Sequence, residues 1–218
     1  MIPIISIVGA SDSGKTTFLE KLIPELARRG YRVGALKHDA HGFEMDREGK
    51  DTWRLKKAGA MTVAISSPAQ IATIRQTDAE LDLAEIAARL FWKEHILITE
   101  GFKRARFPKI EVFRTEVEPQ PICGPSDNLV ALVTDDPVEA QVPKFSFSAV
   151  SGVADFIETR YLQGRKEPSA LVQLDGKQLP MKDFVRDFVV GGIVGMLSSL
   201  RGWEKPETIT IHIRLGGD

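Results

Sequence analysis

Gly9, Gly14, Lys15 and Thr16 stand at the spacing G-x-x-x-x-G-K-[ST], with Ala10, Ser11, Asp12 and Ser13 between them and Thr17 following. Each residue type has a physical use. Glycines let the backbone wrap closely around an anion, amide N–H groups converge on it where a helix begins, lysine adds a point charge and threonine offers a hydroxyl to a divalent cation. The chemistry predicted is the holding of a nucleoside triphosphate with Mg²⁺. Gly9 through Thr17 form the cradle, Lys15 faces the β and γ phosphates, and Thr16 ligates the metal. A magnesium site also wants a carboxylate from a neighbouring strand. Glu100, closing the apolar run Ile96–Thr99, is the candidate second ligand and, with Lys15, the candidate catalytic pair.

A second polar group follows the next apolar run: Lys37, His38, Asp39 and His41, with Asp46, Lys50, Asp51 and Arg54 further on. His and Asp at short spacing suit a zinc-like ion. A polar loop at the carboxyl end of a strand in an open α/β sheet also faces the ligand, and a solvated loop is a third reading. His38, Asp39, His41, Lys50 and Arg54 are the candidate nucleotide-facing residues of a switch segment. His95 and His212 border or sit within apolar runs and read as structural. Asn128 is the only asparagine, so the Asn-Lys-x-Asp motif that reads guanine is absent. Asp135 or Asp136 could accept from a guanine edge, on position alone.

These residues need elements to place them. Ile4 to Val8 reads as a strand buried on both faces. Phe18, Leu19, Leu22, Ile23 and Leu26 recur at helical spacing up to Gly30, with a bend rather than a break expected at Pro24. Strands are expected at Tyr31–Leu36, Ile96–Thr99, Ile110–Phe113 and Leu129–Val133. Helices are expected at Asp51–Ala58, Leu81–Trp92 and Val153–Leu162, and a strand pair at Met61–Ser66 and Ile71–Ile74 across Ser67-Pro68. The alternation implies an α/β fold of P-loop NTPase type, a mostly parallel sheet with helices on both faces. Residues 1–163 make this domain and 164–169 a linker. Residues 170–218 make a small ββαβ extension: a hairpin about Asp175-Gly176, a helix over Lys182–Leu200 and a strand over Ile209–Leu215. Gly191 and Gly195 on that helix would admit close packing, by its own hairpin or by a second subunit.

At 218 residues, 43% hydrophobic and 27% charged, the chain can bury a core. Lys plus Arg number 29 against 30 Asp plus Glu, so no net field favours nucleic acid or an acidic membrane. Cys123 has no partner for a disulfide, as suits a reducing compartment. The apolar N-terminus lacks a positive flank, and Phe188–Leu200 is too short to span a bilayer, so a cytoplasmic protein is expected.

GASDSGKTTFLEKLIPEL, ALKHDAHGFEMDREGKDTWRLKKAGA, ILITEGFK and PKIEV together resemble the molybdopterin-guanine dinucleotide biosynthesis adaptor (MobB) family over roughly residues 2 to 160. The particular residues are Lys37-His38, His41, Asp46, Gly49-Lys50-Asp51, Arg54, Ala58-Gly59-Ala60 and Glu100-Gly101-Phe102-Lys103. The resemblance implies a homodimeric GTP-binding protein with weak GTPase activity at most. It would assist a molybdopterin guanylyltransferase that joins GMP to molybdopterin, with molybdopterin or a molybdoenzyme as a further partner. The tail from about Ser169 lies outside this match. A P-loop small-molecule kinase, with Lys103-Arg104-Ala105-Arg106 as its lid, is the competing reading, and a scaffold with negligible hydrolysis is a third.

Overall fold

Ile4–Val8 forms β1 with every residue buried, the signature of a strand covered on both faces. The structure, a computed structural model, describes residues 2–163, 170–175, 177–206 and 208–213. After the glycine loop, helix α1 spans Lys15–Arg28 and buries Phe18, Leu19, Leu22 and Leu26. It passes Pro24 unbroken, because that apolar face continues on both sides of the proline. Strand β2 is Val33–Lys37 and the short helix α2 is Asp51–Lys57. Strands β3 (Thr62–Ser66) and β4 (Ile71–Arg75) pair antiparallel as a separate two-stranded sheet. Helix α3 (Leu83–Leu90) is shorter than its apolar pattern suggests, since Asp82 caps it by accepting from the Ala84 amide.

The chain returns to the sheet with β5 (Ile96–Glu100), β6 (Lys109–Val112), β7 (Leu129–Val133) and the two-residue β8, Lys144–Phe145. Strand β8 is too short to leave a sequence pattern. Helix α4 (Val150–Ile157) starts three residues before the expected Val153 and gives way to a π-helical turn over Glu158–Leu162. The sheet order is β2-β5-β1-β6-β7-β8, every neighbour parallel. With β1 inside the sheet and its neighbours arriving by crossovers, the carboxyl ends of β1, β2 and β5 lie side by side.

Alternate strand residues face two cores. Ile5, Ile7, Ile96, Ile98, Ile110 and Val112 pack with Phe18, Leu22 and Leu26 of α1 and Val153 and Ile157 of α4. Ile4 and Leu97 pack on the opposite face with Leu83 and Ala87 of α3. Each such large side chain contributes about 1.5–3 kcal/mol by leaving water. Arg29 ties α1 to α4, donating to Glu25, Asp155 and Glu158 at 2.8, 2.6 and 2.9 Å. Bonds from Arg28 and Arg29 hold the Glu25 carboxyl down at about 2.

The chain divides into two compact units, Met1–Arg165 and Lys166–Asp218. The expected linker, 164–169, lies outside the described residues. In the second unit β9 (Gln173–Leu174) pairs antiparallel with β10 (Lys177–Gln178), and α5 spans Asp183–Ser198. The expected last strand is not found: residues 209–213 have no strand structure, and 214 and 215 lie outside the described residues. The second unit is thus ββα as far as it is described. Among the described residues no helix is long and apolar enough to cross a membrane.

Candidate functional site

The loop between β1 and α1 holds its shape through backbone conformations that side chains resist. Gly9 has φ +147° and Gly14 φ +92°, and Asp12 takes a left-handed φ of 60°. A Cβ at Gly9 would lie 2.3 Å from the Val112 carbonyl oxygen, so only glycine lets the loop cross β6 this closely. Gly14 caps α1 without a side-chain bond, and Phe18 N closes the first helical turn on Gly14 O at 2.9 Å. The amides at the start of α1 have no acceptor inside the helix and carry the positive end of its dipole. Ser13 Oγ is buried with no hydrogen-bond partner, an orphaned donor in the loop wall. Lys15 reaches back across the loop, its Nζ donating to Ala10 O at 2.6 Å. Burial pushes the Lys15 pKa down, against the attraction of Glu100. Amides, an orphaned hydroxyl and a half-desolvated ammonium together make a donor set that fits an anion.

Thr16, on the first turn of α1, donates its hydroxyl to Glu100 Oε2 at 2.8 Å, and Lys37 Nζ stands 3.3 Å from Glu100 Oε1. The sheet register explains the meeting: Glu100 pairs with Ile7 of β1 on one side and Lys37 of β2 on the other. Thr16 and Glu100 therefore converge as a hydroxyl and a carboxylate, oxygen donors of the kind Mg²⁺ takes beside phosphate oxygens and water.

The polar segment after β2 is only partly drawn to this point. His38 N donates to Glu100 O at 2.9 Å, its ring lies 4.5 Å from that of Phe102, and Nε2 lies 2.7 Å from Glu80 Oε1. Asp39 accepts from the His41 amide at 2.9 Å. Asp46 binds Thr52 Oγ1 at 2.9 Å at the start of α2, which carries Arg54 and is capped by Lys50. Among the described residues no hydrogen bond or ion pair joins Asp39, His41, Lys50 or Arg54 to the glycine loop, and no three His, Cys, Asp or Glu side chains gather to hold a metal ion. The basic run Lys103–Arg106 is a tight turn, Ala105 N to Phe102 O at 2.9 Å, whose Ala105 carbonyl accepts from buried Lys109.

Lys37, expected as a member of the polar cluster after the second strand, closes β2 and reaches Glu100 through register. Arg114 and Phe147 were not singled out by spacing. Arg114, just past β6, donates from Nε to Ser13 O at 3.3 Å, and its guanidinium lies 4.0 Å over the Phe147 ring. The signal was available: Arg114 directly follows the expected strand Ile110–Phe113, as Glu100 follows the expected strand Ile96–Thr99. Asp135 and Asp136 each give one oxygen to a backbone amide, of Phe147 at 3.1 Å and of Thr115 at 2.7 Å.

A parallel sheet of this order, with a glycine loop leading into α1 and an acid ending the adjacent strand, defines a protein of the P-loop α/β class. The chain belongs to the family described as molybdopterin guanine dinucleotide synthesis protein B, MobB, whose model matches residues 4–135. It is 37% identical over 158 residues to the molybdopterin-guanine dinucleotide biosynthesis adapter protein of Haemophilus influenzae, covering 72% of this chain and 88% of that protein. A putative adapter protein of the same description from Methanocaldococcus jannaschii aligns at 27% identity over 96% of this chain and 97% of its own length. The crystal structure of Bacillus subtilis MobB superposes with a TM-score of 0.60 at 28% identity, covering 75% of this chain and all (100%) of that one.

Proposed function

We propose that this chain is a GTP-binding accessory protein of molybdenum cofactor biosynthesis. In this reading it assists a molybdopterin guanylyltransferase that converts molybdopterin to molybdopterin-guanine dinucleotide. The pathway comes from the relatives' shared description; the chemistry comes from the site. The observation that carries it is Thr16 hydrogen-bonded to Glu100 on the first turn of the helix that the glycine loop opens.

The amides from Gly9 to Thr17 would bind the β and γ phosphates, and Lys15 would exchange its bond to Ala10 O for a phosphate oxygen. Thr16 and Glu100 would hold Mg²⁺, which supplies neutralisation of the phosphate charge when bound. Glu100 is engaged by Thr16 and Lys37, which suits holding a ligand, and in this reading the chain is a weak GTPase at most. The segment carrying His38, Asp39, His41, Lys50 and Arg54 is the part free to respond to the γ phosphate. The chain acts as a homodimer in the cytoplasm, with the guanylyltransferase as its protein partner and molybdopterin or a molybdoenzyme as a further contact.

Calorimetry with Mg²⁺ tests the reading: GTP binds in preference to ATP, and Lys15→Ala weakens GTP on the order of a hundredfold without unfolding the chain, as loss of a charge-assisted bond implies. Equal affinity for GTP and ATP, or an unchanged affinity in the variant, overturns it. A reconstituted guanylylation of molybdopterin, with and without this chain, tests the accessory role.

A further inference from the structure

Beside the glycine loop lies a cleft of about 300 Å³, walled by Asp12, Gly14 and Thr17, by Lys21 of α1, and by Arg114 and Phe147. Arg114 and Phe147 come from the segments that leave the carboxyl ends of β6 and β8. Both are held firmly. The Arg114 carbonyl accepts from Val117 N and Glu118 N, both at 3.1 Å. The next amide, Thr115 N, is bound by Asp136 at 2.7 Å, and Phe147 N is bound by Asp135 at 3.1 Å. The guanidinium itself has three anchors: Ser13 O at 3.3 Å, the Phe147 ring at 4.0 Å, and Glu116 at 3.6 Å.

Held at these points, the guanidinium keeps its plane against the Phe147 ring while staying partly open to solvent. Phe147 covers one face of it, and Arg114 and Phe147 together line the cleft. The charges around the cleft balance, Lys21 and Arg114 against Asp12 and Glu116, so a second anion gains little there. A flat, uncharged heterocycle gains more, through stacking and cation–π attraction. The cleft also shares Asp12, Gly14 and Thr17 with the phosphate cradle, so its occupant is continuous with whatever the loop holds.

We infer that Arg114, backed by Phe147, is the stacking platform for the base of the bound nucleotide. The inference rests on the nucleotide reading above and adds to it the residue that holds the end of the ligand remote from the phosphates. It also accounts for Asp135 and Asp136, which position the platform by binding its backbone.

The competing role for Arg114 is a brace for the loop through Ser13 O. Calorimetry on the full chain with Mg²⁺ separates the two by comparing GTP with inorganic tripolyphosphate, which has no base. Arg114→Ala weakens GTP on the order of tenfold and leaves tripolyphosphate unchanged. Arg114→Lys, keeping the charge and losing the plane, gives the same split, and Phe147→Ala weakens GTP in the same sense. An equal loss for both ligands in Arg114→Ala means a loop brace and overturns the inference, as does unchanged affinity for GTP. Wild-type protein that binds neither ligand fails the nucleotide reading itself, and the inference falls with it.

Discussion

Lys15 is a residue whose use and whose cost to the fold lie in the same atom. Its ammonium is held within the loop at 2.6 Å from Ala10 O, and burial is the main reason its pKa falls below the ordinary 10.5. The folded protein therefore holds this proton less tightly than the unfolded chain does. That cost is present at every pH below the folded pKa and fades as pH rises from there towards 10.5, where both states lose the proton. Lys15→Met removes the cost. The variant is expected to melt about 1–3 °C higher than wild type at pH 7, with the difference shrinking as pH approaches 10.5, while its affinity for Mg²⁺-GTP is lost. Thermal unfolding followed at pH 7, 9 and 10 checks the sign. A melting temperature that fell at pH 7 would mean that the bond to Ala10 outweighs desolvation.

At the scale of elements, β6 shows a strand expected at Ile110–Phe113 and found at Lys109–Val112, with two charged residues whose burial the sequence pattern does not address. The run Lys109–Val112 alternates charged and apolar residues, the pattern of a strand with one wet face. Yet Lys109 and Glu111 are only 2% and 1% exposed. The lysine donates to the carbonyls of Ala105, Phe107 and Asp127, and Glu111 accepts from the amides of Ile122 and Cys123 at 2.7 and 3.0 Å. Burial raises the Glu111 pKa and pushes the neighbouring Cys123 thiol up to about 12. These partners sit in irregular segments 2 to 18 residues away, where no periodicity could announce them. The glycine loop and Glu100 were legible because local backbone and strand ends place them. Arg114 and Phe147 were not, and Lys37 was legible only as part of a polar cluster, because all three reach the site through sheet order and register. Lys109→Met keeps the stem and strands buried carbonyls, so it is expected to cost about 3 kcal/mol, read as a lower urea midpoint at unchanged slope.

Across the whole molecule the apolar burial is unevenly shared. Every buried hydrophobic among the described residues falls between Ile2 and Ile157, and both core clusters close by Leu162. Helix α5 has no buried residue, and its Phe184 and Phe188 are 72% and 79% exposed. A segment of that length with so little apolar burial supplies little folding free energy of its own. The first unit, by contrast, contains both faces of its sheet, the Arg29 tie between α1 and α4, and all of Gly9 through Thr17 with Glu100 and Arg114. A chain ending at Gln163 is therefore expected to unfold within about 3 °C of the full protein and to bind Mg²⁺-GTP within about twofold of it. Calorimetry and thermal unfolding of the two chains side by side decide the matter. A tenfold loss of affinity on truncation would place the second unit in the nucleotide response. Unchanged binding would leave its exposed aromatic residues to be explained by assembly, and the guanylylation assay run with both chains would then show whether assisting the transferase depends on them.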